Sequence, residues 1–265
     1  AVRGRPGYHW PMTRTHLTIL TGGSRGMGLA MAQQLLQAGH TLISIARTAH
    51  PALVASPGAQ LEQWPLDLAQ GAEAAARLHA WLTAQDPHRY ASATLINNAG
   101  VIPRIAPLSQ CSSDQDLAGL AQALRVGLEA PMQLTAAFLG ATEGWDMPRK
   151  VLNISSGLGR RAMASQAAYC AAKAGMDHFT RCLALDEAAK PRGAKVCSLA
   201  PGVIDTGMQT QLRGADPAAF PDVQNFIQLQ STGTLASPEA AAARVLAWLA
   251  RADFGDTPVA DVRDA

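Results

Sequence analysis

A tyrosine and a lysine stand four positions apart in Tyr169-Cys170-Ala171-Ala172-Lys173. On a helix that spacing puts both side chains on one face. A phenol with a pKa near 10 is a poor acid–base group at neutral pH, and an ammonium held beside it favours the phenolate and lowers that pKa. Such a pair is commonplace by itself. Ser156 raises its weight: it stands thirteen positions before Tyr169, at the end of the apolar run Val151-Leu152-Asn153-Ile154-Ser155-Ser156. Loops at the ends of buried strands are where open α/β sheets bind ligands. Period-two geometry points the neighbouring Ser155 elsewhere. Ser156, Tyr169 and Lys173 are therefore the candidate catalytic set.

The elements that must position this set can be read along the chain. Apolar runs at Leu17–Leu20, Leu42–Ile45, Leu61–Leu66, Ala93–Ile96, Val151–Ile154 and Val196–Leu199 alternate with helical patterns. The runs are close to continuous in Val, Ile and Leu, which predicts strands of a parallel sheet buried on both faces. A helix is expected over Met27–Ala38, stopped by Gly39. Ser237-Pro238-Glu239 reads as the N-cap, first-turn proline and first-turn acid of another. The Ala-rich stretches Ala72–Ala76 and Ala240–Ala243 read as helix. Alternating β and α units in 265 residues predict one domain, an α/β doubly wound parallel sheet of the Rossmann-type three-layer sandwich.

Directly after the first run comes Thr21-Gly22-Gly23-Ser24-Arg25-Gly26-Met27-Gly28. Between a strand and a helix, such a loop suits a pyrophosphate: Gly22 permits the tight turn, Gly26 lets backbone approach the anion, and Gly28 allows close packing of the helix. The second strand ends Ile45-Ala46-Arg47-Thr48. A site selective for NAD usually places a carboxylate there, on the ribose 2′-hydroxyl. Arg47, with Arg25 in the glycine loop, instead offers guanidinium groups that hold a 2′-phosphate with charge-assisted hydrogen bonds.

The glycine spacing is GxxxGxG, and with the Ser156-Tyr169-Lys173 set it resembles the short-chain dehydrogenase/reductase family. The resemblance recurs from residue 17 to about 260. It implies NADP(H) as cofactor and a small-molecule carbonyl compound as substrate. Tyr169 would give a proton to the carbonyl oxygen, Ser156 would hydrogen-bond and orient that oxygen, and Lys173 would depress the Tyr169 pKa and bond the nicotinamide ribose. Ser24 and Met27 fall within the family's phosphate loop. Asp67, in Pro65-Leu66-Asp67-Leu68, stands where the family places an aspartate near the adenine, and it reads equally as a helix N-cap. Asn97-Asn98-Ala99-Gly100 is by itself a turn signal. It resembles the family's NNAG signature, which stabilises the sheet and lines the cofactor cleft. Pro201-Gly202-Val203-Ile204-Asp205-Thr206 resembles the PG segment, in which the Ile204 backbone and Thr206 bind the carboxamide.

One departure stands out. The family's segment V-N-x-x-x-P carries an asparagine that anchors a water linking the lysine to solvent, and here it reads Val126-Gly127-Leu128-Glu129-Ala130-Pro131. A polar gap beside Lys173 at Gly127 is expected to hold water in its place. Residues 205–234, with Met208, Leu212, Phe220 and Phe226, are expected to form a lid over a hydrophobic or aromatic substrate, and the same apolar residues read equally as core. The tail segments Gly233–Glu239 and Val259–Val262 resemble the sepiapterin reductase and benzil reductase branch, which reduces ketones or diketones with NADPH. Two other readings stay open: a non-catalytic NADPH-binding sensor or scaffold, favoured by Gly127, and an alcohol dehydrogenase working oxidatively.

The formal charge of +2 with scattered basic residues argues against nucleic acid as a partner. No run is apolar enough for a membrane span, and no metal-ligand cluster joins the four cysteines to the seven histidines. Single thiols fit a reduced, cytoplasmic setting. Residues 1–11 read as a disordered arm or as residues foreign to the protein ahead of a natural start at Met12, leaving 12–265 as the domain. The resemblance also implies a homodimer or homotetramer.

Overall fold

The computed structural model describes residues 14–264, so the expected arm at 1–11 lies outside the described residues. Seven strands form one parallel sheet: β1 (Thr15–Thr21), β2 (His40–Ala46), β3 (Gln60–Pro65), β4 (Tyr90–Asn97), β5 (Arg149–Ile154), β6 (Lys195–Ala200) and β7 (Val259–Asp261). Their order is β3-β2-β1-β4-β5-β6-β7. The chain reverses direction of travel across the sheet between β1 and β4, and that switch leaves a crevice beyond the carboxyl ends of the strands. The expected three-layer doubly wound architecture is present.

The core lies on both faces, as continuous apolar runs require. On one face Leu17, Ile19, Ile43, Leu95 and Val151 pack against α2 (Gly71–Thr83) and α4 (Ala130–Thr142) through Leu78, Leu82, Leu134 and Phe138. On the other, Leu20, Leu42, Ile96, Leu152 and Leu199 pack against α1 (Gly26–Leu35) and α8 (Pro238–Ala250) through Met31, Ala241 and Val245. The Ser237 hydroxyl caps α8, accepting from the Ala240 N–H at 3.1 Å.

Three expectations need correction. β3 alternates exposed and covered residues rather than being buried on both faces, because it is the sheet's edge. α1 ends at Leu35, before the expected Ala38. Gly39 (φ +82°) turns the chain so that its carbonyl accepts from His16 N–H at 2.8 Å and its own N–H reaches the Gly58 carbonyl at 2.9 Å. That turn needs residues 36–38 outside the helix. Finally, Val259–Asp261 is a seventh strand on β6, too short to announce itself as an apolar run.

Two further helices follow, α3 (Asp114–Leu124) and α5 (Ala167–Ala188), and α6 (Gly207–Arg213) and α7 (Val223–Ser231) make up the segment expected as a lid. α3 passes into α4 through one π-helical turn, Arg125–Glu129, which contains Gly127. Such turns are rare inside α-helices and gather at functional sites. In that segment Leu212, Phe220, Val223 and Phe226 form a small core of their own, with Ile102, Ile105 and Met163 packed on it.

Candidate active site

β5 and α5 bring the three candidate catalytic residues together. Ser156 follows the carboxyl end of β5 in extended conformation, and its hydroxyl accepts from the Leu158 N–H at 3.1 Å. That leaves its O–H proton free to be given elsewhere. Tyr169 and Lys173 lie one turn apart on α5, with the Lys173 Nζ 5.7 Å from the centre of the Tyr169 ring. Lys173 is buried, and its ammonium donates to the Ile154 carbonyl at 2.7 Å. The helix is thereby stapled to the strand that carries Ser156. Ser155 is buried on its own and turned into the fold, its N–H donating to the Leu199 carbonyl at 2.9 Å.

The electrostatics differ from the expectation in one respect. Burial pushes the Tyr169 phenol up to about 12, with the Ser156 hydroxyl pulling in the other direction. Burial pulls the Lys173 ammonium down to about 8, opposed by the carboxylate of Asp177. Desolvation of the phenolate dominates in this arrangement and holds the Tyr169 phenol above its ordinary value. The phenol is neutral at neutral pH, which is the form that can give up a proton.

Opposite this set lies the glycine loop. Gly22 (φ +71°) and Gly26 (φ +54°) hold left-handed backbone. A Cβ on Gly28 would lie 2.0 Å from the Gly22 carbonyl oxygen, so only glycine lets α1 start this close to the loop. Arg25 supplies no side-chain cap to α1, and no acid sits in its first turn. The helix thus presents free N–H donors and the positive end of its dipole to the crevice. β4 ties the loop down: Asn98 Nδ2 donates to the Thr21 carbonyl at 3.1 Å, and Thr21 Oγ1 accepts from the N–H groups of Asn98 and Ala99 at 2.9 and 3.0 Å.

Gly100 and Thr206 lie close to these groups. A Cβ on Gly100 would lie 3.8 Å from Lys173 Nζ and 3.6 Å from Met208 Cε. Thr206 approaches Gly26, whose Cβ would meet its methyl at 3.5 Å. The Pro201–Thr206 segment turns through Gly202 (φ +83°) and is held by a bridge from Ile204 to Ala236. Gly22 N–H donates to the Ile45 carbonyl at 2.8 Å, setting the end of β2, and so Arg47, beside the loop. Arg25 and Arg47 are exposed. Asp67 does cap a turn, accepting from the Ala69 N–H at 2.9 Å.

Beneath the site runs a buried polar chain that motif reading only half reveals. Asn97 Nδ2 donates to Thr135 Oγ1 (3.2 Å) and Asn153 Oδ1 (2.8 Å), and Asn153 Nδ2 donates to Thr180 Oγ1 (2.9 Å). It joins α4, β4, β5 and α5 under the crevice, and Asn153 was legible only as a polar residue inside an apolar strand. At Gly127 the expected polar gap is narrower than supposed: a Cβ there would meet the Ala172 methyl at 3.2 Å.

Comparison with known proteins agrees with this fold. A family model described as short chain dehydrogenase matches residues 16–217. A benzil reductase ((S)-benzoin forming) of Bacillus cereus is 34% identical over 243 residues, covering 89% of this chain and 94% of that protein. A sepiapterin reductase of Rattus norvegicus is 30% identical over 248 residues, covering 89% and 92%. A solved structure of a putative NAD(P)-dependent gluconate 5-dehydrogenase from Beutenbergia cavernae, with bound NADP, superposes with a TM-score of 0.75 at 28% identity, covering 94% of this chain and 95% of that one.

Proposed function

Because the chain belongs to the short-chain dehydrogenase family, we propose that it is an NADPH-dependent reductase that converts a hydrophobic or aromatic ketone or diketone to the alcohol. The observation that carries this reading is the convergence of Ser156, Tyr169 and buried Lys173 on a crevice whose far wall is the glycine loop.

The residues present suit a dinucleotide. Gly22, Ser24, Gly26, Met27 and Gly28 would cradle its pyrophosphate on the uncapped start of α1. Arg47 and Arg25 would take a 2′-phosphate, Asp67 and Asn98–Gly100 would border the adenine and ribose, and Pro201, Gly202, Ile204 and Thr206 the carboxamide. When bound, the nicotinamide supplies the hydride. The chain's own groups then do the rest. Ser156 gives a hydrogen bond to the carbonyl oxygen and fixes its place. Tyr169, neutral at working pH, passes its proton to the same oxygen as charge develops there. Lys173, held by the Ile154 carbonyl, stabilises the phenolate left behind and steadies the ribose. Ile102, Ile105 and Met163, packed against the apolar core of the lid, favour a substrate with an apolar body. The relatives named as benzil reductase and sepiapterin reductase support a ketone or diketone.

Free cysteines at 111, 170, 182 and 197 fit work in the cytoplasm, and among the described residues no helix is long and apolar enough to cross a membrane. Exposed Leu117 and Leu124 on α3 and Leu185 on α5 fit self-association as a dimer or tetramer. The experiment is an NADPH absorbance assay over aryl 1,2-diketones, aryl ketones and aliphatic ketones. Turnover of the aryl compounds is expected. NADPH binding with no turnover on any of them would favour the sensor reading, for which Gly127 in place of an asparagine speaks.

A further inference from the structure

We propose that Asp177 is a positioning residue that keeps the Lys173 ammonium charged inside the protein, and that Arg160 sets how strongly it does so. Asp177 follows Lys173 by one turn of α5, so the two share a face. Both are buried: Lys173 is 4% exposed and Asp177 1%.

The carboxylate is arranged as a field source more than as a structural hydrogen-bond acceptor. Its Oδ1 accepts from Ser198 Oγ on β6 at 2.6 Å. Its Oδ2 has no hydrogen-bond partner among the described residues, and its ion pair with Arg160 Nε is long, at 3.8 Å. An asparagine of the same shape would serve Ser198 equally well and would avoid the desolvation of a buried charge. The charge therefore needs another beneficiary. Lys173 is that group, because its hydrogen-bond partner, the Ile154 carbonyl, is neutral, and burial draws its pKa down while Asp177 alone is resolved as working against burial.

Among the described residues no second carboxylate takes that role. Tyr169 on α5 faces Lys173 and is neutral at neutral pH. Arg160, from the turn after β5, and Ser198, from β6, face Asp177, while Cys197 points to the other face of the sheet. The Cys197 thiol is pushed up to about 12, chiefly by burial, and Asp177 adds to that push. Arg160 is tethered by its Nη2 to the Ala260 carbonyl of β7 at 3.1 Å, which holds its guanidinium off at the longer distance. Gly159 lets that turn close onto α5: a Cβ there would lie 2.7 Å from Asp177 Oδ2 and 3.0 Å from the Lys173 carbonyl oxygen.

The test reads Lys173 directly. Nitrogen NMR of lysine side chains in the protein without cofactor gives its titration, with the signal assigned by its loss in Lys173→Met. Asp177→Asn is expected to move that titration down by about one unit, the size of shift an opposite charge one turn away produces. Arg160→Gln is expected to move it up by a few tenths. The high-pH limb of the reductase rate is expected to move with the same signs, a displacement that a merely structural role would not cause. An unchanged Lys173 titration in a folded Asp177→Asn overturns the proposal. Should that variant fail to fold, Arg160→Gln decides, and no upward movement overturns it. The rate arm rests on the reductase reading, but the titration arm does not: a shifted titration in a protein that reduces no carbonyl would leave Asp177 in this role and remove the reductase.

Discussion

Replacing Lys173 by methionine is expected to abolish reduction and yet stabilise the protein at neutral pH. The ammonium's pKa falls from 10.5 to about 8 on folding, so the folded state resists the charge that the unfolded state accepts. At about 1.36 kcal/mol per pKa unit, that gap makes the buried charge cost about 3 kcal/mol. The lowered folded value fixes the sign. The cost is fully present below about 8, and it fades as pH rises towards 10.5, where the unfolded lysine also loses its proton. Methionine removes the charge and packs as an apolar chain of similar length, but it leaves the Ile154 carbonyl without its donor, a loss of about 1–2 kcal/mol. The net expectation at pH 7 is a gain of about 1 kcal/mol, or about 2–4 °C in melting temperature for a chain of this size. Near pH 10.5 the order reverses, and the variant becomes the less stable by about 1 kcal/mol. Urea unfolding of both proteins without cofactor, at pH 7 and across the alkaline range, measures the difference. A variant less stable than the parent at pH 7, with a gap that does not change with pH, would refute the reasoning.

Tyr169→Phe is expected to leave NADPH affinity within about twofold while reducing turnover at least about a hundredfold, the usual scale for loss of a general acid; parent-level turnover would remove Tyr169 from that role. Arg47→Ala is expected to weaken NADPH binding by about ten- to a hundredfold, the equivalent of one charge-assisted phosphate pair, and to leave NADH binding unchanged. Equal losses for the two would show that Arg47 does not read the 2′-phosphate. Gly28→Ala drives a Cβ to 2.0 Å from the Gly22 carbonyl oxygen, so thermal melts and dinucleotide titration are expected to show at least about 2 kcal/mol of destabilisation and loss of binding; a variant matching the parent in both would mean that the loop is looser than described.

Much of this was legible in local pattern. The strands at Leu17–Leu20 and Val151–Ile154, the capped start of α8 at Ser237 and the shared helix face of Tyr169 and Lys173 follow from run length, capping chemistry and helical spacing. What local pattern does not carry is which strand lies at the edge. Gln60–Pro65 alternates because nothing lies beyond it, and that is a property of strand order. Nor does spacing carry depth. A spacing of four puts Tyr169 and Lys173 on one face, but the direction of the Tyr169 pKa depends on how completely the surrounding chain excludes water. Asp177 stood one further turn along that face, and only its burial and its contact with Ser198 mark it out. Likewise Asp67 looked equally like an adenine neighbour and a cap; it is a cap, and the first role stays a matter for the bound state.

The stitch between Asn98 and Thr21 joins residues 77 apart in sequence. No stretch of chain that stops short of β4 can therefore hold the glycine loop in its working shape, however well β1, α1 and β2 form. The cradle is a late product of folding, completed when β4 docks against β1 and closes a long intervening loop, the kind of non-local step that slows parallel sheets. Once formed, it links two halves of the molecule: a dinucleotide gripping the loop would restrain the opening of the β1–β4 seam as well. Amide hydrogens of Asn98 and Ala99, both bonded to Thr21 Oγ1, would then exchange more slowly when the ligand is present, far along the chain from the residues that touch its phosphates.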